Sequence, residues 1–334
     1  MPTTAIHHPL PLLGRFLQQV GPTPLVPVQL GDGAPIIWCK LEFLNPSGST
    51  KDRIARYMLE KAWRTGQLRE GGTVVEASSG STSIALALTC AQMGLRFVAV
   101  MPDGVSRERL LTIAAYGGRT QRVSRELGIR GAIAAAERLA REEGALHTRQ
   151  FENPDNPEAH RLWTGQEILS QIPRGMVHAV VSGVGTGGTI VGLYSAFSQA
   201  GCAAIPVAAR PVRRGEGSTH TDLECCSFST RVPGVVEGIS KLYTHAALPG
   251  LREIDVDEDD ALQTTKLLIQ KGFPVGPSSG LNYCAAATIA RELGPDAQVV
   301  TVFADRMERY FSTELFAALG DGGESLSPCG KGST

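Results

Sequence analysis

His178-Ala-Val-Val-Ser-Gly-Val-Gly-Thr-Gly-Gly-Thr189 is an apolar, β-branched run that breaks into glycines and resumes as a helical pattern over 189–199. A strand that feeds a helix through such a turn lets backbone N–H groups approach a ligand closely, and the helix N-terminus adds the positive end of its dipole. Together they make a cradle for a phosphate group. The same alternation extends outward through the chain. Apolar runs at 35–41, 73–77, 96–101, 177–182, 204–208 and 298–303 predict strands. Segments 52–65, 82–93, 107–116, 129–142, 157–171, 189–199, 257–270 and 281–293 predict helices. Short apolar strands separated by helices imply a parallel sheet covered on both faces, so the expected class is α/β.

Composition narrows the function. The 334 residues carry 32 Lys+Arg against 33 Asp+Glu, a net charge of -1, which offers no electrostatic footprint for nucleic acid or an anionic membrane. A hydrophobic content of 42% with 38 Gly suits a globular protein with a real core. No apolar run reaches the roughly 20 residues of a bilayer span, and no secretory signal is read at the N-terminus. The seven cysteines, at 39, 90, 202, 225, 226, 284 and 329, show no CxxC spacing, so reduced thiols in a cytoplasmic enzyme without structural metal are expected. The Gly/Ser-rich end from Gly320 onward is expected to be disordered.

Gly183, Gly185 and Gly188 also satisfy G-x-G-x-x-G, which raises a dinucleotide site. That reading needs an acidic residue at the end of the next strand to hold a ribose, and the run at 204–208 leads instead into Ala209-Arg210-Pro211. A single phosphate monoester fits better. A second strand-to-helix turn, Glu76-Ala-Ser-Ser-Gly-Ser-Thr-Ser83, offers hydroxyls at 78, 79, 81 and 82, more than one helix cap needs, and suits a carboxylate. A third, Gly276-Pro-Ser-Ser-Gly280, also opens a helix. Lys51 lies in Asn45-Pro-Ser-Gly-Ser-Thr-Lys-Asp52, where a helix N-terminus lowers the pKa of an amine and favours attack on a carbonyl. A reactive lysine with a phosphate anchor is what pyridoxal phosphate requires.

At this point the chain resembles the cysteine synthase (O-acetylserine sulfhydrylase) and cystathionine β-synthase family of fold-type II pyridoxal-phosphate enzymes. The matching stretches run in order over most of residues 20–315: Gly21-Pro-Thr-Pro-Leu25, residues 40–53 around Lys51, residues 78–83, Met101-Pro102, and Gln150-Phe-Glu-Asn-Pro-Asp-Asn-Pro157 with His160. They continue through residues 183–189, Val236-Glu-Gly-Ile239, residues 276–280, and Asp305 followed by Glu308-Arg-Tyr-Phe-Ser-Thr313. The resemblance implies a tryptophan-synthase-β-like fold of two three-layer αβα lobes with mostly parallel sheets. Residues 1–44 and 151–320 would form the larger, cofactor-anchoring lobe, and residues 45–150 the smaller, mobile lobe that takes the substrate carboxylate, leaving 321–334 as the tail.

The resemblance also implies roles. Lys51 carries the internal aldimine of pyridoxal 5'-phosphate and moves the α-proton. Gly185, Thr186, Gly187, Gly188 and Thr189 bind the cofactor phosphate, Ser278 bonds the pyridine nitrogen, and Ser81 contacts the cofactor. Ser78, Ser79, Gly80, Ser81, Thr82 and Gln150 surround the substrate carboxylate, with Gly238 in a loop beside it. A neutral hydroxyl at the pyridine makes a weak electron sink, which suits β-elimination to an aminoacrylate followed by addition of a nucleophile. The implied reaction is β-replacement on an activated L-serine, most simply O-acetylserine with sulfide, in a homodimer. Related outcomes are cystathionine, S-sulfocysteine or diaminopropionate-type synthesis, an O-phosphoserine donor, a β-lyase, or a binding paralogue without turnover.

Three departures bear on substrate. Ser81-Thr82-Ser83 stands where the family usually has Asn-Thr-Gly, and Arg306-Met307 where it tends to have two small residues. Residues 210–233, with Arg213, Arg214, Arg231 and the Cys225-Cys226 pair, do not resemble the sulfide-using enzymes well; solvated charges and ordinary packing are the expected roles there.

Overall fold

The run at 73–77 is buried at every position and forms the strand Thr73–Ala77 (β3) inside a four-stranded sheet. In chain order the other strands are Leu25–Val28 (β1), Ile37–Leu41 (β2), Arg96–Pro102 (β4), Arg119–Val123 (β5), Leu146–His147 (β6), Ala179–Gly183 (β7), Ile205–Val212 (β8), Arg252–Asp257 (β9) and Val299–Phe303 (β10). The computed structural model describes residues 9–11, 19–213, 231–236 and 238–320. Its smaller sheet runs β5-β4-β3-β6, all parallel. The larger runs β1-β2-β10-β7-β8-β9 and is parallel except for β1 against β2. The expected α/β class with mostly parallel sheets is what the chain adopts.

Helices cover these sheets because central parallel strands are apolar on both faces. Lys51–Arg64 (α1), Ser81–Met93 (α2), Arg107–Ala115 (α3) and Gly128–Glu143 (α4) accompany the four-stranded sheet. Asp155–Ala159 (α5) packs its Ala159 on Ile54 and Met58 of α1; against the six-stranded sheet lie Gly165–Gln171 (α6), Gly188–Gln199 (α7), Glu258–Gln270 (α8) and Pro277–Leu293 (α9), and Glu314–Gly320 (α10) sets Leu315 on Leu262 of α8. Leu281, Ala285 and Ile289 of α9 pack on Ile37, Val181, Val207 and Phe303 in one core, while Ile84, Ala85 and Met93 of α2 pack on Val74 and Phe97 in another. Among the described residues, no helix is long and apolar enough to cross a membrane.

Six strands follow the apolar runs. The four without a strong run, β1, β5, β6 and β9, are the four sheet edges. Edge strands have one unpaired side and less cover, so they tolerate sequences such as RTQRV and REIDVD, and β1 accommodates Pro27. The helix read at 281–293 begins at Pro277, where a fixed φ suits a first turn. Segment 157–171 contains a π turn, His160–Thr164, between α5 and α6. Arg213 pairs with Glu258 at 2.9 Å, and Arg231 pairs with Asp259 and Glu314. Arg214, Cys225-Cys226, Cys329 and the 321–334 tail lie outside the described residues.

Candidate active site

Lys51 is the first residue of α1, and the loop before it is held from three sides. Asp52 accepts hydrogen bonds from the Ser47 amide (3.0 Å), the Ser47 hydroxyl (2.6 Å) and the Ser49 amide (3.4 Å). Arg309 donates to the carbonyls of Gly48 (2.9 Å) and Ser47 (2.5 Å), and the Thr50 amide donates to Ala304 (2.8 Å). Burial pushes the Asp52 acid up to about 6 despite those donors. The Lys51 amine has no hydrogen bond or ion pair among the described residues. Its pKa is lowered, chiefly by burial; Asp305 opposes the shift and Arg309 adds to it. Dehydration therefore leaves a larger fraction of neutral, nucleophilic amine than an exposed lysine would have.

A cleft between the two sheets brings the predicted residues together. Lys51, Ser78, Ser79, Ser81, Thr82, Gln150, Gly185, Thr186, Gly187, Thr189 and Ser278 all line it. Ser278, in the first turn of α9, has a hydroxyl with no hydrogen-bond partner among the described residues. Three predicted residues do not form its wall. Gly80 and Gly188 are backed by other side chains. Gly238 lines an adjoining cavity that shares Val235 and Val236 with the cleft.

The glycine turn is braced from behind. Gly187 caps α7 with φ +76, a left-handed conformation that glycine adopts without strain, and no side chain caps that helix. A Cβ at Gly188 would stand 1.8 Å from Oδ1 of Asn156, and one at Gly185 would stand 2.3 Å from the Gly234 carbonyl oxygen. Asn156 Nδ2 donates to the Gln150 carbonyl and to Thr186 Oγ1, both at 2.8 Å. The Ser240 hydroxyl donates to the Thr186 carbonyl at 2.6 Å. Thr189 Oγ1 lies 3.3 Å from His160 Nε2, whose other nitrogen is 3.1 Å from Thr164 Oγ1. Burial drives His160 down to about 3, so the ring is neutral at ordinary pH.

The serine-rich turn is equally organised. Ser78 Oγ accepts from the amides of Gly80 (3.0 Å) and Ser83 (3.3 Å). Thr82 donates to Gln150 Oε1 at 2.6 Å, and Gln150 Nε2 donates to the Ala77 carbonyl at 2.6 Å. Ser81 donates to Asp305 Oδ2 at 3.0 Å, an atom that also accepts from the Tyr310 hydroxyl at 2.8 Å. Gly80 before helix α2 offers no side-chain cap, and with the Ser83 amide taken by Ser78 the first-turn amides of Ser81 and Thr82 are left for an anion. Sequence reasoning left Asn156, Asp305, Tyr310 and Arg109 out of the site. Asn156 and Asp305 stood in quoted motifs, but nothing local showed which turns they brace.

A dehydrated, unpartnered amine, an uncapped glycine turn and an unpartnered serine hydroxyl in one cleft fit an aldehyde-bearing phosphate ester with an aromatic nitrogen. Comparison with known proteins agrees. Residues 16–305 match the family model described as "Pyridoxal-phosphate dependent enzyme". The chain is 37% identical over 310 residues to a cysteine synthase of Staphylococcus aureus, covering 91% of this chain and 97% of that one. Among solved structures it superposes on O-ureido-L-serine synthase with a TM-score of 0.81 at 33% identity, covering 92% of this chain and 96% of the other. It superposes on the O-acetylserine-dependent cystathionine β-synthase of Helicobacter pylori with a TM-score of 0.78 at 29% identity, covering 90% and 98%.

Proposed function

Because the chain belongs to the pyridoxal-phosphate-dependent enzymes, as a β-replacement enzyme of the cysteine synthase family, we propose that it joins sulfide to O-acetyl-L-serine, giving L-cysteine and acetate. The observation that carries this reading is Lys51, a dehydrated amine without a partner among the described residues, in the cleft shared by the glycine turn and the 78–82 turn.

Bound pyridoxal phosphate supplies an aldehyde for amines and a ring that withdraws electrons from the substrate Cα. The chain's residues do the rest. The N–H groups of Gly185 and Gly187, with the hydroxyls of Thr186 and Thr189 and with Gly188 holding Thr186 Oγ1 through its N–H at 3.4 Å, would hold the phosphate at the positive end of α7. The Ser278 hydroxyl would meet the ring nitrogen, and its neutrality would keep electron withdrawal modest. The Ser79 hydroxyl and the N–H groups of Ser81 and Thr82 would take the α-carboxylate, with Gln150 fixing Thr82 by accepting a hydrogen bond from its hydroxyl at 2.6 Å. Ser81 is turned to Asp305 and acts through that carboxylate. Lys51 Nζ would hold the cofactor through its aldehyde carbon; displaced from that carbon by the substrate amine, the freed amine would stand ready to take the α-proton as acetate leaves from Cβ, with the two anion anchors fixing the Cα–H bond in place. Gly238 and the homodimer implied by the family resemblance complete the proposed working form.

A second reading, a nucleophile other than sulfide, is favoured by the similarity to O-ureido-L-serine synthase. The deciding experiment is borohydride treatment of the purified, cofactor-loaded protein. Wild type should retain the cofactor covalently at Lys51 and Lys51→Ala should not; a wild type that stays colourless with added cofactor overturns the reading. Product mass from a matrix of activated serines and nucleophiles then separates sulfide from its rivals.

A further inference from the structure

Arg109 is the third residue of α3 and only 5% exposed, yet it lines the same cleft as Lys51 and Ser79. Its stem covers Gly80 so closely that a Cβ there would lie 2.2 Å from its Cδ and 2.7 Å from its Nε. Its guanidinium carbon sits 5.0 Å from the centre of the Tyr310 ring. Nε is buried without an acceptor, and no N–H of the group reaches a carboxylate or carbonyl among the described residues. Arg309 shares the buried, unpartnered Nε, but the other buried arginines contrast with Arg109 in giving their terminal nitrogens to acceptors. Arg53 is paired with Glu42 and Glu167, and Arg309 with two carbonyls. Asp305, the acid of the cleft, is engaged at Oδ2 by Ser81 and Tyr310 instead.

Only Nε is sealed from water; the two terminal nitrogens stay open to the cleft, and a cation so largely withdrawn from water without a counter-charge is completed by an anion in that cleft. The guanidinium is also held in place rather than free to leave. The Ser106 hydroxyl donates to the Arg309 carbonyl at 2.9 Å, and the Ser312 hydroxyl donates to Glu108 at 2.8 Å. These bonds tie the start of α3 to the turn carrying Tyr310. A charged fork fixed beside the 78–82 turn is a preorganised receptor for a planar or tetrahedral oxyanion.

We propose that Arg109 binds an oxyanion of the amino-acid substrate; this rests on the reading of the cleft as an amino-acid site. Two groups share that chemistry: the α-carboxylate of any donor, and a phosphate carried on the serine side chain. The test is calorimetric titration of the cofactor-loaded protein with two unreactive amino acids. L-Alanine carries only the α-carboxylate, and L-2-amino-3-phosphonopropionate adds a side-chain anion.

Arg109→Met should weaken binding by about 10- to 100-fold, the range for removing a charge-assisted hydrogen-bond donor, and Arg109→Lys should recover part of the loss. Weakening of both ligands assigns the group to the α-carboxylate; weakening of the phosphonate alone assigns it to a side-chain phosphate. Unchanged affinities in Arg109→Met, or a loaded wild type that binds neither ligand, overturn the proposal. Failure of the cofactor reading is distinct, because it appears beforehand as absent borohydride fixation at Lys51. The melting temperature of each variant separates lost recognition from lost folding, and if Arg109→Met does not fold, Arg109→Lys carries the comparison.

Discussion

Gly188→Ala tests how the phosphate turn is built. Gly188 is the first residue of α7, and alanine is compatible with its backbone, so the penalty is purely steric. The new Cβ would stand 1.8 Å from Asn156 Oδ1, 2.3 Å from its Cγ and 2.8 Å from its Nδ2, so the whole amide must leave. Asn156 is 1% exposed, and its departure breaks the bonds to the Gln150 carbonyl and Thr186 Oγ1. At about 0.5–1.5 kcal/mol per bond, with a further penalty for groups left unsatisfied, the loss is about 2–4 kcal/mol. Alanine's better helix propensity returns at most about 1 kcal/mol. The net cost of about 1–3 kcal/mol should lower Tm by about 1–4 °C. Cofactor affinity should fall about tenfold as the Thr186 hydroxyl loses its anchor. Calorimetric melting and equilibrium dialysis of the cofactor read the two effects. Asn156→Ala removes the obstructing amide, so the double variant should be at least about 1 kcal/mol less damaged than the sum of the singles. A Gly188→Ala protein with unchanged Tm and cofactor affinity would refute the steric reasoning.

Arg53→Met strands the buried Glu42 carboxylate, while the half-buried Glu167 keeps Lys40, and should cost about 3–5 kcal/mol in urea unfolding. Acid acts on stability through three buried groups. His160 is held to about 3, below its unfolded value, so the unfolded chain takes up more protons there and the His160 contribution drops as pH falls below about 6.5; Asp52, pushed up to about 6, binds its proton first in the folded chain and offsets that loss between about pH 6 and 4. Glu42 stays charged to about 2 because of Arg53, although burial opposes this; its contribution is present above the unfolded value of about 4.3 and is lost below it. Relative to wild type, His160→Gln should therefore lose about 1.4 kcal/mol less per pH unit below about 6.5, and keep the loss that Glu42 causes at lower pH. Arg309→Met frees the carbonyls of Ser47 and Gly48, and should slow borohydride fixation at Lys51 while the cofactor phosphate still binds. Ser240→Ala removes the 2.6 Å bond to the Thr186 carbonyl and should weaken cofactor binding about threefold to tenfold in dialysis, with little change in the rate of fixation.

Much of this protein is legible in its sequence because much of it is local. A strand-to-helix turn is made by consecutive residues, so the glycines at 185–189 and the serines at 78–83 show the backbone shape without a partner. Lys51 is legible for the same reason: it stands at the start of α1, in a loop braced partly by its neighbour Asp52. The central strands announce themselves through burial on both faces, and the four edge strands do not, because solvent relaxes that demand.

The side-chain contacts that complete the site are of another kind. Thr82 meets Gln150 across 68 residues and Ser81 meets Asp305 across 224. Arg109 comes to rest between Gly80 and Tyr310. A pattern of hydrophobic periodicity carries no information about which distant polar groups will meet. A buried arginine reads in sequence like any charge on a helix; only the packed fold shows that its Nε is sealed without an acceptor and that, among the described residues, the group has no carboxylate partner.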